Sequence, residues 1–105
     1  MAIAVIEKQG TTLTVRPEGR IDTVRTPLLD AELHPHLDGI ERIVMDFSKV
    51  EYISSSGLRL LLWLEQLVEE RGGEVALVHA SEPVLKIIRL AGFDNVVRVI
   101  TDEKA

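Results

Sequence analysis

The chain opens with two short β-rich runs, residues 3–8 and 12–16, separated by Gln9-Gly10-Thr11. That spacing predicts two strands joined by a tight hairpin. Pro17-Glu18-Gly19 is expected to break the second strand, because proline cannot donate to a ladder and glycine weakens one. From Arg25 the apolar positions Leu28, Leu29, Ala31, Leu33 and Leu37 recur at helical spacing, with Pro27 suited to a first turn and Asp38-Gly39 as a stop. They predict a first helix. Arg42-Ile43-Val44-Met45-Asp46-Phe47 sets three adjacent apolar residues of low helix preference together, which predicts a central strand covered on at least one face. Residues 58–71 carry the longest helical pattern, closed by Gly72-Gly73. A strand over 74–79, a helix over 82–90 with Pro83 in its first turn, and a last strand over 96–100 complete the pattern.

The resulting order, β-β-α-β-α-β-α-β, defines an α/β fold with a mixed sheet of four to five strands and helices packed against it. Strands that alternate with helices from Arg42 onward are expected to run parallel, while the hairpin adds an antiparallel part. No repeat, low-complexity segment or linker-length loop interrupts the chain. The polar tail, residues 101–105, is expected to fray. At 105 residues the chain suits one domain and is too short for two.

Composition narrows the classes of function. Aromatic residues make up only 4% of the chain against 46% hydrophobic residues overall, so the core is expected to be built from Leu, Ile and Val. A net charge of -5, with Lys and Arg scattered, offers no basic footprint for nucleic acid. With no cysteine, disulfides, thiol catalysis and cysteine-ligated metals are excluded. The apolar start, Met1 to Ile6, is too short for a signal peptide and lacks its charged and cleavage regions. The densest apolar run, residues 60–64, falls far below the roughly 20 residues of a spanning helix, so no membrane insertion and a cytoplasmic location are expected.

Candidate chemistry concentrates in Ser54-Ser55-Ser56-Gly57, between a strand pattern and the long helix. Hydroxyls there can cap the first helical turn, and the same junction tolerates a phosphate. The following helix turns Leu60, Leu61, Leu64, Leu67 and Val68 to one face. Leu62 points almost directly away from that face, with Leu58 beside it and Trp63 at the flank, an apolar surface that a partner could cover. Asp22, between a strand and a helix, reads by default as an Asx turn or cap, and Asp46 as a strand-end residue that satisfies loop amides. His34 and His36 are two apart, do not share a helix face and lack a third ligand, so no metal site is expected. Glu69-Glu70-Arg71 reads as a solvated helix end. Hydrolase chemistry is not expected: position 53 is Ile, so the Gly-x-Ser-x-Gly elbow is missing, and nothing in the sequence places His34, His36 or His79 near Ser55.

Three blocks in this order, Glu18-Gly19-Arg20-Ile21-Asp22, Ile43-Val44-Met45-Asp46-Phe47-Ser48 and Tyr52-Ile53-Ser54-Ser55-Ser56-Gly57-Leu58, resemble the STAS domain family. Within it they are similar to the single-domain anti-sigma factor antagonists of bacteria. The resemblance covers nearly the whole chain and implies one STAS domain over residues 1–105. The family's third block usually reads apolar, Asp, Ser, small, Gly, apolar, with the Ser after Asp as the phosphorylation site. Laid on this chain, Ser55 is the implied phosphoacceptor, and Ser54 stands where the family has Asp. Asp22, Ser54, Ser56 and Gly57 in the matching blocks are expected partner-binding positions, joined by Leu58, Leu62 and Trp63 from the apolar surface of the helix pattern.

The resemblance further implies a binding module rather than an enzyme. Unphosphorylated on Ser55, it would bind an anti-sigma factor with a GHKL-type serine kinase fold and so release a sigma factor. A metal-dependent serine phosphatase would reverse the modification. No cofactor is expected in this chain, since ATP and magnesium would belong to the kinase, and no Gly-x-x-x-x-Gly-Lys loop is present. The alternative is a STAS subunit of another assembly, a stressosome-type scaffold or a lipid-transport complex, without a phosphorylation switch.

Overall fold

The computed structural model describes residues 3–101. Met1, Ala2 and the tail from 102 onward, where fraying is expected, lie outside the described residues. Strands β1 (Ala4–Gln9) and β2 (Thr12–Ile21) form the expected antiparallel hairpin, in register from Gln9 opposite Thr12 to Ala4 opposite Pro17. Strands β3 (Arg42–Asp46), β4 (Lys49–Ile53), β5 (Glu74–Val78) and β6 (Arg98–Ile100) complete a six-stranded mixed sheet in the order β1-β2-β3-β5-β6, with β4 paired to β2. All pairings except the hairpin are parallel.

The fold class is the expected one, but β2 and β4 depart from expectation in a way that builds the site. Pro17 does not end β2. The strand changes partner there: Thr12 to Val15 pair with β3, and Glu18 to Ile21 pair with β4, with a register shift inside that ladder between Gly19 and Arg20. Pro17 falls in the gap between the two ladders, where its missing amide costs no strand bond. Strand β4 escapes a reading by element length because only Phe47 and Ser48 separate it from β3. Exposed Lys49 and Glu51 flank buried Val50, but buried Ile53 falls on the face of the two charged residues and breaks the alternation that would mark a strand.

Helix α1 (Thr26–Leu33) is shorter than the pattern suggests, passing into a 3-10 turn at His34–His36. Pro35 accounts for the change, since it lacks the amide that a further α-turn would use and its ring crowds the turn before it. Helix α2 (Ser55–Glu69) begins at the serines themselves, and α3 (Glu82–Leu90) is as expected. The last strand is shorter than expected, because a second 3-10 turn over Phe93–Asn95 draws in the amides of Val96 and Val97, which both donate to the Phe93 carbonyl at 2.9 Å.

Alternation in the strands puts Leu13, Val15, Ile43, Met45, Val75 and Leu77 in one aliphatic core with Phe47. Leu29 and Leu33 of α1, Leu60, Leu61, Leu64 and Val68 of α2, and Val84 and Ile88 of α3 close over it. Each such aliphatic side chain contributes about 1.5–3 kcal/mol through burial. Arg71 is not part of a merely solvated helix end: its guanidinium donates to the carbonyls of Leu37 and Ile40, at 2.8 Å each. Beside it, a Cβ on Gly73 would lie 1.4 Å from the Glu41 carbonyl oxygen, so only glycine lets the turn after α2 pass the start of β3.

Candidate functional site

Parallel pairing of β2 with β4 brings Ile21 opposite Ile53, and both strands end at the same place. The Ser54 amide extends the ladder one step by donating to the Ile21 carbonyl at 2.9 Å. Each strand then feeds a helix, so α1 and α2 start side by side. On the α1 side, Asp22 Oδ1 accepts from the Arg25 amide at 2.9 Å, and the Asp22 carbonyl accepts from both the amide and the hydroxyl of Thr26. Asp22 therefore makes the turn into α1, the local role its position suggests. Asp46 likewise accepts from the Ser48 amide at 3.0 Å, as a strand-end residue should.

The three serines, equivalent on paper, occupy three environments. Ser54 is extended (φ -91°, ψ 175°) and 7% exposed, and its Oγ accepts from the Gly57 amide at 3.3 Å. It is the N-cap of α2. Ser55 is the first residue of the helix and is exposed, and Ser56 is half-buried on the side toward α1. Gly57 is buried against the strand ends, where a Cβ would meet Ile53 Cγ1 at 2.7 Å and Ile21 Cγ2 at 2.8 Å. Its missing side chain is what lets the helix sit so close under Ser55.

Along α2 the 3.6-residue repeat aligns Ser55, Arg59, Leu62 and Gln66 on one outward row. Leu62 is half-buried there, outside the core cluster. Leu58, expected beside it on the outer surface, leans inward and packs against the core. Trp63 is 40% exposed. Its ring stacks on His34, with centroids 5.2 Å apart and planes 21° apart, and His34 Nδ1 lies 3.2 Å from Asp30. Asp30, His34, Ser56, Arg59 and Trp63 line an open groove of about 450 Å³ between the two helices.

Three features of this region were hidden in the sequence. The His34-Trp63 stack joins residues from different helices, so no local spacing could reveal it. Arg59 belongs to the Ser55 row once the helix start is known. Leu28, one of the periodic apolar positions, is 53% exposed and nearby Val24 76% exposed at the head of α1, the buried face being set by Leu29 and Leu33. His36 is exposed, and His79, at the end of β5, adopts a positive φ of 61°. Among the described residues no group of three or more His, Asp or Glu could hold a metal ion, and no helix is long and apolar enough to cross a membrane.

A small mixed sheet with three helices packed on it is a STAS-like fold. Residues 3–105 match the family model of the STAS domain, and the chain belongs to that family. BtrV of Bordetella bronchiseptica, whose own assignment as an anti-sigma factor antagonist is provisional, is 29% identical over 89 residues, covering 84% of this chain and 77% of its own. An anti-sigma factor antagonist from Mycobacterium paratuberculosis superposes with a TM-score of 0.79 at 26% identity, over 91% of this chain and 82% of the other. The unphosphorylated anti-sigma factor antagonist SpoIIAA shares the fold, with a TM-score of 0.79 at 21% identity over 96% of this chain and 90% of that one. The Bacillus protein's phosphorylated form superposes with a TM-score of 0.70 at 20% identity, covering 96% and 94% of the two chains.

Proposed function

We propose that this chain is an anti-sigma factor antagonist whose binding is switched by phosphorylation of Ser55. The observation that carries the reading is the isolation of one exposed hydroxyl, Ser55, above a buried N-cap, Ser54, and a glycine, Gly57, that no larger residue could replace without displacing Ile21 or Ile53. Names of relatives from Bordetella bronchiseptica and Mycobacterium paratuberculosis support it. The chain acts in the cytoplasm as a binding module without catalytic chemistry of its own.

Unmodified, the Ser55 row of α2 docks an anti-sigma factor of GHKL-type kinase fold, with Leu62 and Trp63 as apolar anchors and Ser56 in the groove. The sigma factor that the anti-sigma factor held is released. Asp22, Ser54, Gly57 and Leu58 act by position, fixing where the helix begins. The partner's ATP then donates its γ-phosphoryl group to Ser55 Oγ: an O–P bond forms, the hydroxyl proton leaves, and ADP departs. The added group brings about 1.5 to 2 negative charges onto a surface shaped around a neutral hydroxyl, and the complex separates. A metal-dependent phosphatase hydrolyses the ester and restores the binding form.

Ser54 supports the cap without the charge of the family's usual Asp, so the geometry for phosphorylation is kept while the electrostatics differ. Incubation with the cognate kinase and ATP, followed by mass spectrometry, tests the reading. One phosphate on the wild type and none on Ser55→Ala is the expected result. Absence of phosphate with the cognate kinase would instead favour a constitutive scaffold subunit.

A further inference from the structure

We infer that Arg59 captures the phosphate of modified Ser55, so that the phosphorylated state is partly neutralised within the chain. This deepens the proposed function and rests on Ser55 being the acceptor. The two residues stand four apart on an uninterrupted helix and are both exposed, the spacing at which side chains of opposite charge meet. Among the described residues the Arg59 side chain makes no hydrogen bond or ion pair, as is true also of Arg16 and Arg89, whereas the remaining arginines are engaged. Arg20 lies over the Tyr52 ring at 4.3 Å, Arg25 donates to the Glu18 carbonyl, and Arg71 donates to two carbonyls.

The neighbouring charges leave Arg59 available. Asp30, the acid that shares its groove, is paired with His34 at 3.2 Å and forms no ion pair with Arg59. Directly before Ser55 the cap is a neutral hydroxyl, so no carboxylate at position 54 repels a phosphate or competes for the cation. A guanidinium offers a rigid fork of donors that matches phosphate oxygens, and a charge-assisted pair of this kind is stronger than a neutral hydrogen bond.

Capture has a consequence for signalling. In the unmodified protein Arg59 is free to meet an acidic group on the partner; in the modified protein the phosphate holds it. One modification thereby removes two features from the docking row, the Ser55 hydroxyl and the Arg59 cation. Leu62, one turn further along, is left with a neutralised pair where a cation stood.

The test installs phosphoserine at position 55 during translation, so that no kinase is required, and follows the phosphate by ³¹P NMR against pH in the full-length chain. Arg59 should favour the dianion and lower the midpoint of its second ionisation relative to Arg59→Gln. The ionisation constant should change about two-fold, the size of an exposed i, i+4 ion pair. Arg59→Lys should keep part of the shift, and added salt should shrink it. Histidines as a class titrate in the same range as phosphate esters, so the comparison is repeated with His34→Gln in both backgrounds; Asp22 and Asp30 are the other acids near the two helix starts. Superimposable titrations with Arg59 and with Gln at that position would overturn the inference. Failure of the kinase to modify Ser55 would count against the switch and leave this measurement unaffected.

Discussion

The Ser54 amide lies 2.9 Å from the Ile21 carbonyl oxygen, and this hydrogen bond ties the end of β4 to the end of β2 at the point where both strands turn into helices. Everything placed at the site follows from that junction. It aligns the starts of α1 and α2, buries Ser54 as a cap, and leaves Ser55 as the first exposed side chain. A hydroxyl two residues from a strand end has little freedom to wander, which suits recognition by a partner's active site.

Ser54→Ala should destabilise the domain by about 1 kcal/mol, the usual value of an N-cap. Ser54→Asp should restore that stability, since a carboxylate accepts from the Gly57 amide equally well and favours the helix dipole. Urea denaturation of the three proteins checks the order. Equal midpoints for wild type and Ser54→Ala would show that the 3.3 Å contact with Gly57 contributes nothing.

Gly57→Ala should cost more, about 1–3 kcal/mol, because its methyl would be driven into Ile21 and Ile53. The strain falls under the first turn of α2, so amide exchange should accelerate at Ser55 and Ser56 before it does at the centre of the helix. Hydrogen exchange measured residue by residue separates this local effect from general loss of stability.

Leu62 and Leu64 offer a contrast between surface and core two residues apart. Leu62→Glu should leave the thermal midpoint within a few degrees of wild type while weakening binding to the anti-sigma factor at least ten-fold, a loss of about 1.4 kcal/mol or more. Leu64→Ala should cost about 2–5 kcal/mol of stability. Calorimetric titration beside thermal melts reads both quantities. Unchanged affinity in Leu62→Glu would remove the outer row of α2 from the docking face.

Much of this arrangement was legible before any coordinates. The hairpin, the α3 helix and the mixed sheet follow from periodicity and turn residues, because each depends on local chemistry. The serines were legible as a cap or a phosphate site, but the apolar pattern began the helix at Leu58, whereas it begins at Ser55 with Ser54 as its cap. Strand β4 was missed because its register is set by a distant partner, the second half of β2, and no spacing within residues 49–53 announces that pairing. Pro17 misled for the same reason: whether a proline breaks a strand depends on which neighbour needs its amide. Leu58 and Leu28 show the limit of helical periodicity, which ranks faces without saying which neighbour will cover them.

Trp63 provides a built-in reporter, being the sole tryptophan of the chain and partly exposed at the edge of the groove. Docking of a partner on the Ser55 row should change its emission, with an amplitude that saturates at one equivalent. His34→Ala should alter the emission of the free protein by removing the stacked ring. A titration that leaves the fluorescence flat while binding is detected by another method would place the partner elsewhere.

The central claim is that Ser55 is the switch, and its most direct measurement is the affinity for the anti-sigma factor of the unmodified chain and of the same chain with phosphoserine at position 55. The account predicts that phosphorylation weakens binding at least a hundred-fold, about 2.7 kcal/mol, with Ser55→Ala binding like the unmodified protein in the presence of ATP. Equal affinities for the two forms would contradict it.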